Sequence, residues 1–295
     1  MKKYLFHLSL YLGLFLFVLN LISWIGFKGL ERGCFYKQQF IQNGVSETDF
    51  DYVILGSSTG LTTLNTILID SLTGLNGLNI SLDDSSLNSH YTMLCYFLSL
   101  GKTTKNLVLA ITPTDMSESL PSLNSNDYRF LPNIDSPFIQ KYFAEIHGTQ
   151  INKHNASMWF PLVGMSYYNT ELFYPSLLAW WNPEMRNRFD VYGNYSYPNG
   201  SSSFQKGHNY KFNEIVVNVN NPYFEKIKQM CFKNNVNLIL YQSPIYNQKV
   251  TYPLELEVIN HSDFLTEINY FYDRIHVNKI GREKCSIEFS KLMLP

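Results

Sequence analysis

The run from Leu5 to Phe27 constrains this chain before any other feature does. It is apolar throughout, and its polar members, His7, Ser9, Asn20 and Ser23, carry no formal charge. Such a length matches the roughly 20 residues that cross the hydrocarbon core of a bilayer as one helix. The residues that follow its core, Trp24, Ile25, Phe27 and Lys28, supply no small-x-small cleavage site, and Glu31, Arg32 and Gly33 before Cys34 make a poor lipoprotein signal. A retained anchor is therefore expected over 1–28, and a polar stem over 29–48. Lys2 and Lys3 on one side nearly balance Lys28 and Arg32 on the other, so basic residues hardly decide the orientation. Aromatic and Asn-rich segments further on suit glycan-facing work, which favours a single-pass membrane protein with its domain outside the cytoplasm.

One domain is expected over 49–295. Asp51–Leu55 (DYVIL) is a β-branched and aliphatic run cut off by Gly56 and two serines, the pattern of a short buried strand. Leu78–Leu82 reads as a second strand, and Asn88–Leu100 as a helix stopped by Gly101. Asn106–Ile111 (NLVLAI) is the clearest buried strand, and Val236–Tyr241 (VNLILY) repeats its character. Pro222 opens a helix with Phe224, Ile227 and Cys231 inward, and Asn278–Leu292 forms a last helix. The segment Gly60–Leu72 is helix or irregular connection. Strands alternating with helices at this rhythm imply βαβ units, hence an α/β fold with a parallel sheet and helices on both faces. From about 116 to 211 the pattern loosens into Tyr, Trp, Pro and Asn with no sustained period, which marks an insertion or small subdomain.

With 45% hydrophobic residues in 295, the chain can bury a full core. Its formal net charge is -1 with Lys and Arg scattered, which removes the electrostatic footprint of a nucleic-acid binder. Cys34, Cys95, Cys231 and Cys285 stand too far apart and too irregularly for a zinc or redox motif. The last three fall in expected helices, where a thiol packs as a small hydrophobe.

Chemistry concentrates in two places. Ser58 lies in Gly56-Ser57-Ser58-Thr59-Gly60 directly after the first strand, and the C-terminal edge of a parallel sheet is where α/β proteins place their sites. A Ser-rich turn that caps a helix reads equally well from this segment alone. Near the C-terminus, Asp273 precedes His276 by three residues, close enough for the carboxylate to fold back and accept the imidazole N–H. The other histidines, His7, His90, His147, His154, His208 and His261, read as structural or solvated. Asp83, Asp84 and Asp115 lack metal-ligand spacing and read as turn or capping residues, so no metal is expected.

A first-strand G-x-S turn combined with Asp-x-x-His before the final helix resembles the SGNH (GDSL-like) hydrolases and acyltransferases, and Asp273–Gly281 (DRIHVNKIG) is similar to their last motif. The letters Gly56–Gly60 also fit the nucleophile elbow of the α/β-hydrolases, but there the nucleophile follows several strands and the acid and histidine come from separate loops. Ile54–Ser58 resembles the G-S-S subgroup and selects Ser58, not Ser57, as nucleophile, with Asp273 and His276 as its base pair. Asn79-Ile80-Ser81 resembles the second motif and places Ser81 where a glycine amide serves the oxyanion hole. The third motif falls on Thr112–Asp115, with Thr114 where an Asn donor usually stands. The resemblance implies a three-layer, flavodoxin-like fold. It also implies an oxyanion hole of Ser58, Ser81 and Thr114, and a serine esterase or O-acyltransferase that needs no cofactor.

Anchored members of such a family resemble proteins that add or remove acyl groups on cell-surface polysaccharide, so an acylated glycan or other ester is the expected substrate. Trp159, Trp180, Trp181, Tyr192, Tyr195 and Tyr197 are candidates for stacking on sugar rings. A non-catalytic envelope or polysaccharide-assembly protein of the same fold is the competing expectation. Withdrawing so long an apolar segment from lipid is costly, so the full-length chain is expected to stay with membranes through carbonate extraction. Recovery of a shortened soluble form beginning after Phe27 would identify a cleaved signal instead.

Overall fold

The computed structural model describes residues 1–147, 153–199 and 211–293, and these divide into two compact units. Unit 1 joins Met1–Gly44 to Asp127–Asn187, and unit 2 joins Val45–Asn126 to Arg188–Pro295.

Among its described residues unit 1 is built from helices. Helix α1 spans Lys2–Arg32, followed by α2 at Lys37–Asn43. The expected stem is thus partly helical, with Tyr36, Phe40 and Ile41 buried, because these large side chains on an otherwise polar segment have a core to enter. After a 3-10 helix at Asp127–Asn133 come four helices of unit 1. In unit 2 the first helices in chain order are α3 (Ser58–Thr63), α4 (Thr66–Thr73), α5 (Leu87–Ser99) and α6 (Pro113–Ser117). The four of unit 1 are accordingly α7 (Pro137–His147), α8 (Lys153–Trp159), α9 (Pro161–Tyr167) and α10 (Asn169–Trp181). Pro161 stands at the start of α9, where its missing N–H costs nothing. Phe130, Leu131, Phe143 and Leu172 fill the interior of this unit together with Leu30 of α1.

Unit 2 is α/β. Its central sheet holds five parallel strands in the order β2 (Gly77–Asn79), β1 (Asp49–Gly56), β3 (Thr103–Ile111), β5 (Asn237–Gln242) and β7 (Val258–Asn260). A separate parallel pair joins β4 (Asn213–Val216) to β6 (Gln248–Thr251). Alternate residues sort to the two faces. Tyr52, Ile54, Val108, Ala110 and Tyr241 share one cluster with Ile69 of α4 and with Cys285 and Phe289 of α12 (Lys279–Met293), the last helix. The intervening Val53, Leu55, Leu107 and Leu109 are equally buried, as expected where both faces of a parallel sheet are covered. Helix α11 (Pro222–Lys233) packs on α5.

The regular part of the second strand is shorter than its apolar run, although the Ile80 and Leu82 amides still donate to the Ile54 and Gly56 carbonyl oxygens of β1, while the Ser81 N–H turns to Asn79 Oδ1 at 3.0 Å. The segment Gly60–Leu72 resolves into α3 and α4, and α4 ends at Gly74 in the left-handed conformation, φ +74°. Gly101 closes α5 in the same way. All four cysteines are free and buried.

Phe289 lies fully buried against Tyr241, ring centroids 5.5 Å apart. Phe289→Ala is expected to cost about 3–5 kcal/mol through lost burial and the cavity left behind. Thermal melts of the detergent-solubilised chain would read it, and an unchanged melting temperature would show that α12 contributes little to the sheet's stability.

Candidate active site

Strand β1 delivers Ser58 to the C-terminal edge of the sheet, and the two glycines around it are required by packing. A Cβ on Gly56 would lie 2.7 Å from Ala110 Cβ and 2.8 Å from the Ala110 carbonyl oxygen, and one on Gly60 would lie 2.9 Å from Ser81 Oγ. Neither glycine has positive φ among the described residues. The turn therefore needs glycine for close approach to β3 and Ser81, not for an unusual backbone angle. Ser58 itself opens α3, where the first amides of a helix have no partner inside it.

The loop before α12 delivers the base. Asp273 Oδ1 accepts the Ile275 and His276 amides, each at 2.9 Å, while Asp273 Oδ2 accepts from His276 Nδ1 at 2.8 Å. One carboxylate thus holds both the turn and the ring. On the far side of the imidazole, the Ser58 hydroxyl donates to Nε2 at 2.8 Å. Burial pushes the Asp273 carboxyl up, but the hydrogen bonds and charge of His276, with the two amides, outweigh it and leave Asp273 below its ordinary value. Asn278 caps α12, its Oδ1 accepting the Ile280 and Gly281 amides. A Cβ on Gly281 would come within 2.3 Å of the Tyr270 carbonyl oxygen, so the Asp-x-x-His turn and helix start require glycine there.

Tyr197 completes the surroundings of the imidazole. Its ring stacks on Tyr272 at 4.3 Å and lies 5.0 Å from the His276 ring. Burial, with the Asp273 charge next, pushes its hydroxyl up to about 12. One face of Tyr197 is therefore already taken by Tyr272, and the ring serves as a wall for His276. Tyr195 meets Tyr197 edge-on, whereas Trp159, Trp180 and Trp181 belong to unit 1.

A cleft of about 540 Å³ opens at Ser58, lined also by Ser86, Thr112, Thr114, Asn124 and Gln242. Thr114 stands exposed on it. Ser81 does not reach it. That residue is fully buried and its amide is committed to Asn79, so the expected oxyanion donor at Ser81 is corrected. The physical reason is local, since an Asn two residues earlier offers the amide a nearer acceptor than any substrate.

Two features went unread in the sequence. Asp115, expected as a turn or capping residue, lines the cleft, and its Oδ2 is buried without a hydrogen-bond partner. Burial pushes this carboxyl up to about 7, opposed by a hydrogen bond with Thr112 and aided by the charge of Glu118. The signal available was Asn221, whose side chain donates to the Asp115 carbonyl oxygen, but no spacing in the sequence links the two. The second is another serine and histidine pair, Ser85 Oγ to His90 Nε2 at 2.9 Å. His90 is fully buried, its Nδ1 has no partner, and burial pushes its pKa down to about 3. With no carboxylate behind it, this imidazole lacks the orienting group that Asp273 provides to His276.

Asp83 and Asp84 sit in a turn tied by the Asn126 side chain. His154 and His261 meet Tyr168 and Tyr241, as structural histidines do. His208 and the side chain of His147 lie outside the described residues. Comparison with protein-family models and with curated proteins gives no match.

A carboxyl raised from 3.8 to about 7 keeps in the folded state a proton that the unfolded chain releases between those values. Stability then falls as pH rises through that window. Asp115→Asn, neutral at every pH, is expected to gain in melting temperature over the parent near pH 8 and not near pH 4. A difference independent of pH would show that Asp115 titrates as an ordinary carboxyl.

Proposed function

We propose that this chain is a serine-dependent esterase or O-acyltransferase, anchored in the membrane by α1, acting on acyl esters of cell-surface polysaccharide. The observation that carries the reading is the unbroken relay Asp273 to His276 to Ser58, with both links at 2.8 Å. Its place supports it too, at the sheet edge where β1 has neighbours reached in opposite directions, the position at which open α/β sheets bind ligands. The strand order, with helices on both faces, agrees with a flavodoxin-like, SGNH-type domain.

In this reading His276 Nε2 takes the Ser58 proton as Oγ attacks the ester carbonyl. Asp273 holds Nδ1–H and stabilises the imidazolium that forms. The Ser58 amide and the Thr114 hydroxyl are the donors at hand for the oxyanion. His276 then protonates the departing alcohol, and water or a sugar hydroxyl resolves the acyl-enzyme. The cleft's polar lining suits a hydroxyl-rich substrate, since each buried sugar hydroxyl needs a partner.

One observation favours a second reading, a non-catalytic envelope or polysaccharide-assembly protein. The Ser81 amide is spent on Asn79, and loss of one oxyanion donor costs on the order of 10²–10³ in rate. Labelling by a fluorophosphonate probe, with the adduct located by mass spectrometry, separates the two: an adduct on Ser58 supports the enzyme, and no adduct supports the scaffold.

Ser58→Ala and His276→Ala are each expected to lower turnover of an acetyl ester by roughly 10⁴-fold or more, because triad members act as a unit. Asp273→Asn is expected to cost the same or less. Ser57→Ala stays active, because Ser57 Oγ contacts Thr59 and not the imidazole. Thermal melts run alongside show whether a variant has merely unfolded; a folded, fully active Ser58→Ala protein would remove the nucleophile.

A further inference from the structure

All four tryptophans of the chain, Trp24, Trp159, Trp180 and Trp181, belong to unit 1, and all four are exposed, Trp159 at 74% and Trp181 at 85%. They do not stand alone. After its exposed polar first turn, Asn169 to Glu171, the exposed residues of α10 are Phe173, Tyr174, Leu177, Trp180 and Trp181, which recur at the spacing of one helix face. The opposite face, Leu172, Pro175, Ser176 and Ala179, is the buried one. An ordinary surface helix turns polar residues outward; from Phe173 to its end α10 turns apolar ones outward. Phe160, just before α9, and Tyr167, its last residue, extend the exposed aromatic surface, with the Lys153 ammonium over the Tyr167 ring at 3.6 Å. From Asn155 to Trp181 only Glu171 carries a formal charge, and its carboxylate accepts from the buried Tyr128.

These helices are fixed to α1 at one level of its apolar run. Leu162 N–H donates to Asn20 Oδ1, and Trp180 Nε1 donates to the Ile25 carbonyl oxygen at 3.3 Å. The Trp180 indole occupies the space above Gly29, where a Cβ would meet Nε1 at 2.3 Å. From Asn20 to Lys28, the first charge after the run, is about 12 Å along a helix. The α9 and α10 pair therefore lies beside the last part of the apolar segment and ends where charge begins, the depth at which Trp and Tyr concentrate in membrane proteins.

We propose that α9 and α10, with the end of α8, form a collar that inserts its aromatic face into the boundary between lipid headgroups and acyl chains around α1. The occupant of this face is the bilayer itself, because the face is continuous with the exposed apolar surface of α1 and the run from Phe173 to Trp181 adds no charge to it. This inference rests on the reading of α1 as a retained anchor. The collar anchors unit 1 at two elements and fixes its tilt on the membrane, which a single spanning helix does not do.

Since every tryptophan lies on this unit, the unmodified full chain is its own probe. Reconstituted in phosphatidylcholine vesicles, it is expected to lose most of its tryptophan emission when lipids brominated near the headgroup replace the parent lipid, and less when bromine sits near the chain end. Four variants that each retain one tryptophan, the others changed to Phe, assign the effect. Quenching of Trp159, Trp180 and Trp181 as well as Trp24 supports the collar. Quenching of Trp24 alone overturns it and leaves the anchor standing. Absence of quenching at all four, with the chain recovered free of vesicles, overturns the anchor reading together with the collar.

Discussion

The close approach of β1 to β3 governs unit 2. Two parallel strands in register from Asp49 with Thr103 to Gly56 with Ala110 leave no space above Gly56 for a side chain, and the α3 turn folds back until Gly60 also rests near Ala110. A small residue on β3 and two glycines on the β1 turn are thus one constraint. Because of it, Ser58 is presented by a helix start pressed onto the sheet edge, on a rigid element and not a loose loop. A rotamer held in that way loses little entropy on forming its hydrogen bond to His276, which is what a site joining residues 218 positions apart requires.

The opposite half of the site is held by local bonds. Asp273 spends one oxygen on the backbone of its own turn and the other on the ring, Asn278 caps the helix that follows, and Gly281 admits the Tyr270 carbonyl. Tyr197, packed on Tyr272, backs the imidazole. Every piece except Tyr197 comes from twelve consecutive residues, 270–281. That economy explains why this half of the site could be read from sequence: it is a short-range object whose geometry follows from spacing.

Legibility elsewhere followed the same rule. β1, β3 and β5 each hold a continuous apolar run, buried on both faces in β1 and β3 and partly so in β5, and their residues alone identify them. β4, β6 and β7 are three or four residues long with mixed polarity, so no period exists to detect. α10 of unit 1 escaped for a different reason. A helical period shows only when one face is polar, and beyond its first turn α10 is apolar on nearly every side, so its sequence reads as featureless although its structure is regular. The Ser81 amide was misassigned because its fate depends on which acceptor lies nearest, and that choice of Asn79 is made in three dimensions.

Asp115 shows what remains when local rules are satisfied around a residue and not at it. Its amide is capped by Thr112 and its carbonyl is held by Asn221, so the backbone is fixed. The carboxyl oxygen left over is buried with no partner, an arrangement that native structures keep rare because an unpaired buried polar atom costs about 1–3 kcal/mol. A fold tolerates that cost when the surroundings over-determine the position, and such positions gather at functional clefts. Here the surroundings are the cleft that Ser58 opens onto. That carboxyl, pushed up to about 7 by burial, ties the stability of the cleft wall to pH, because the proton it keeps on folding is lost as pH rises through its folded value.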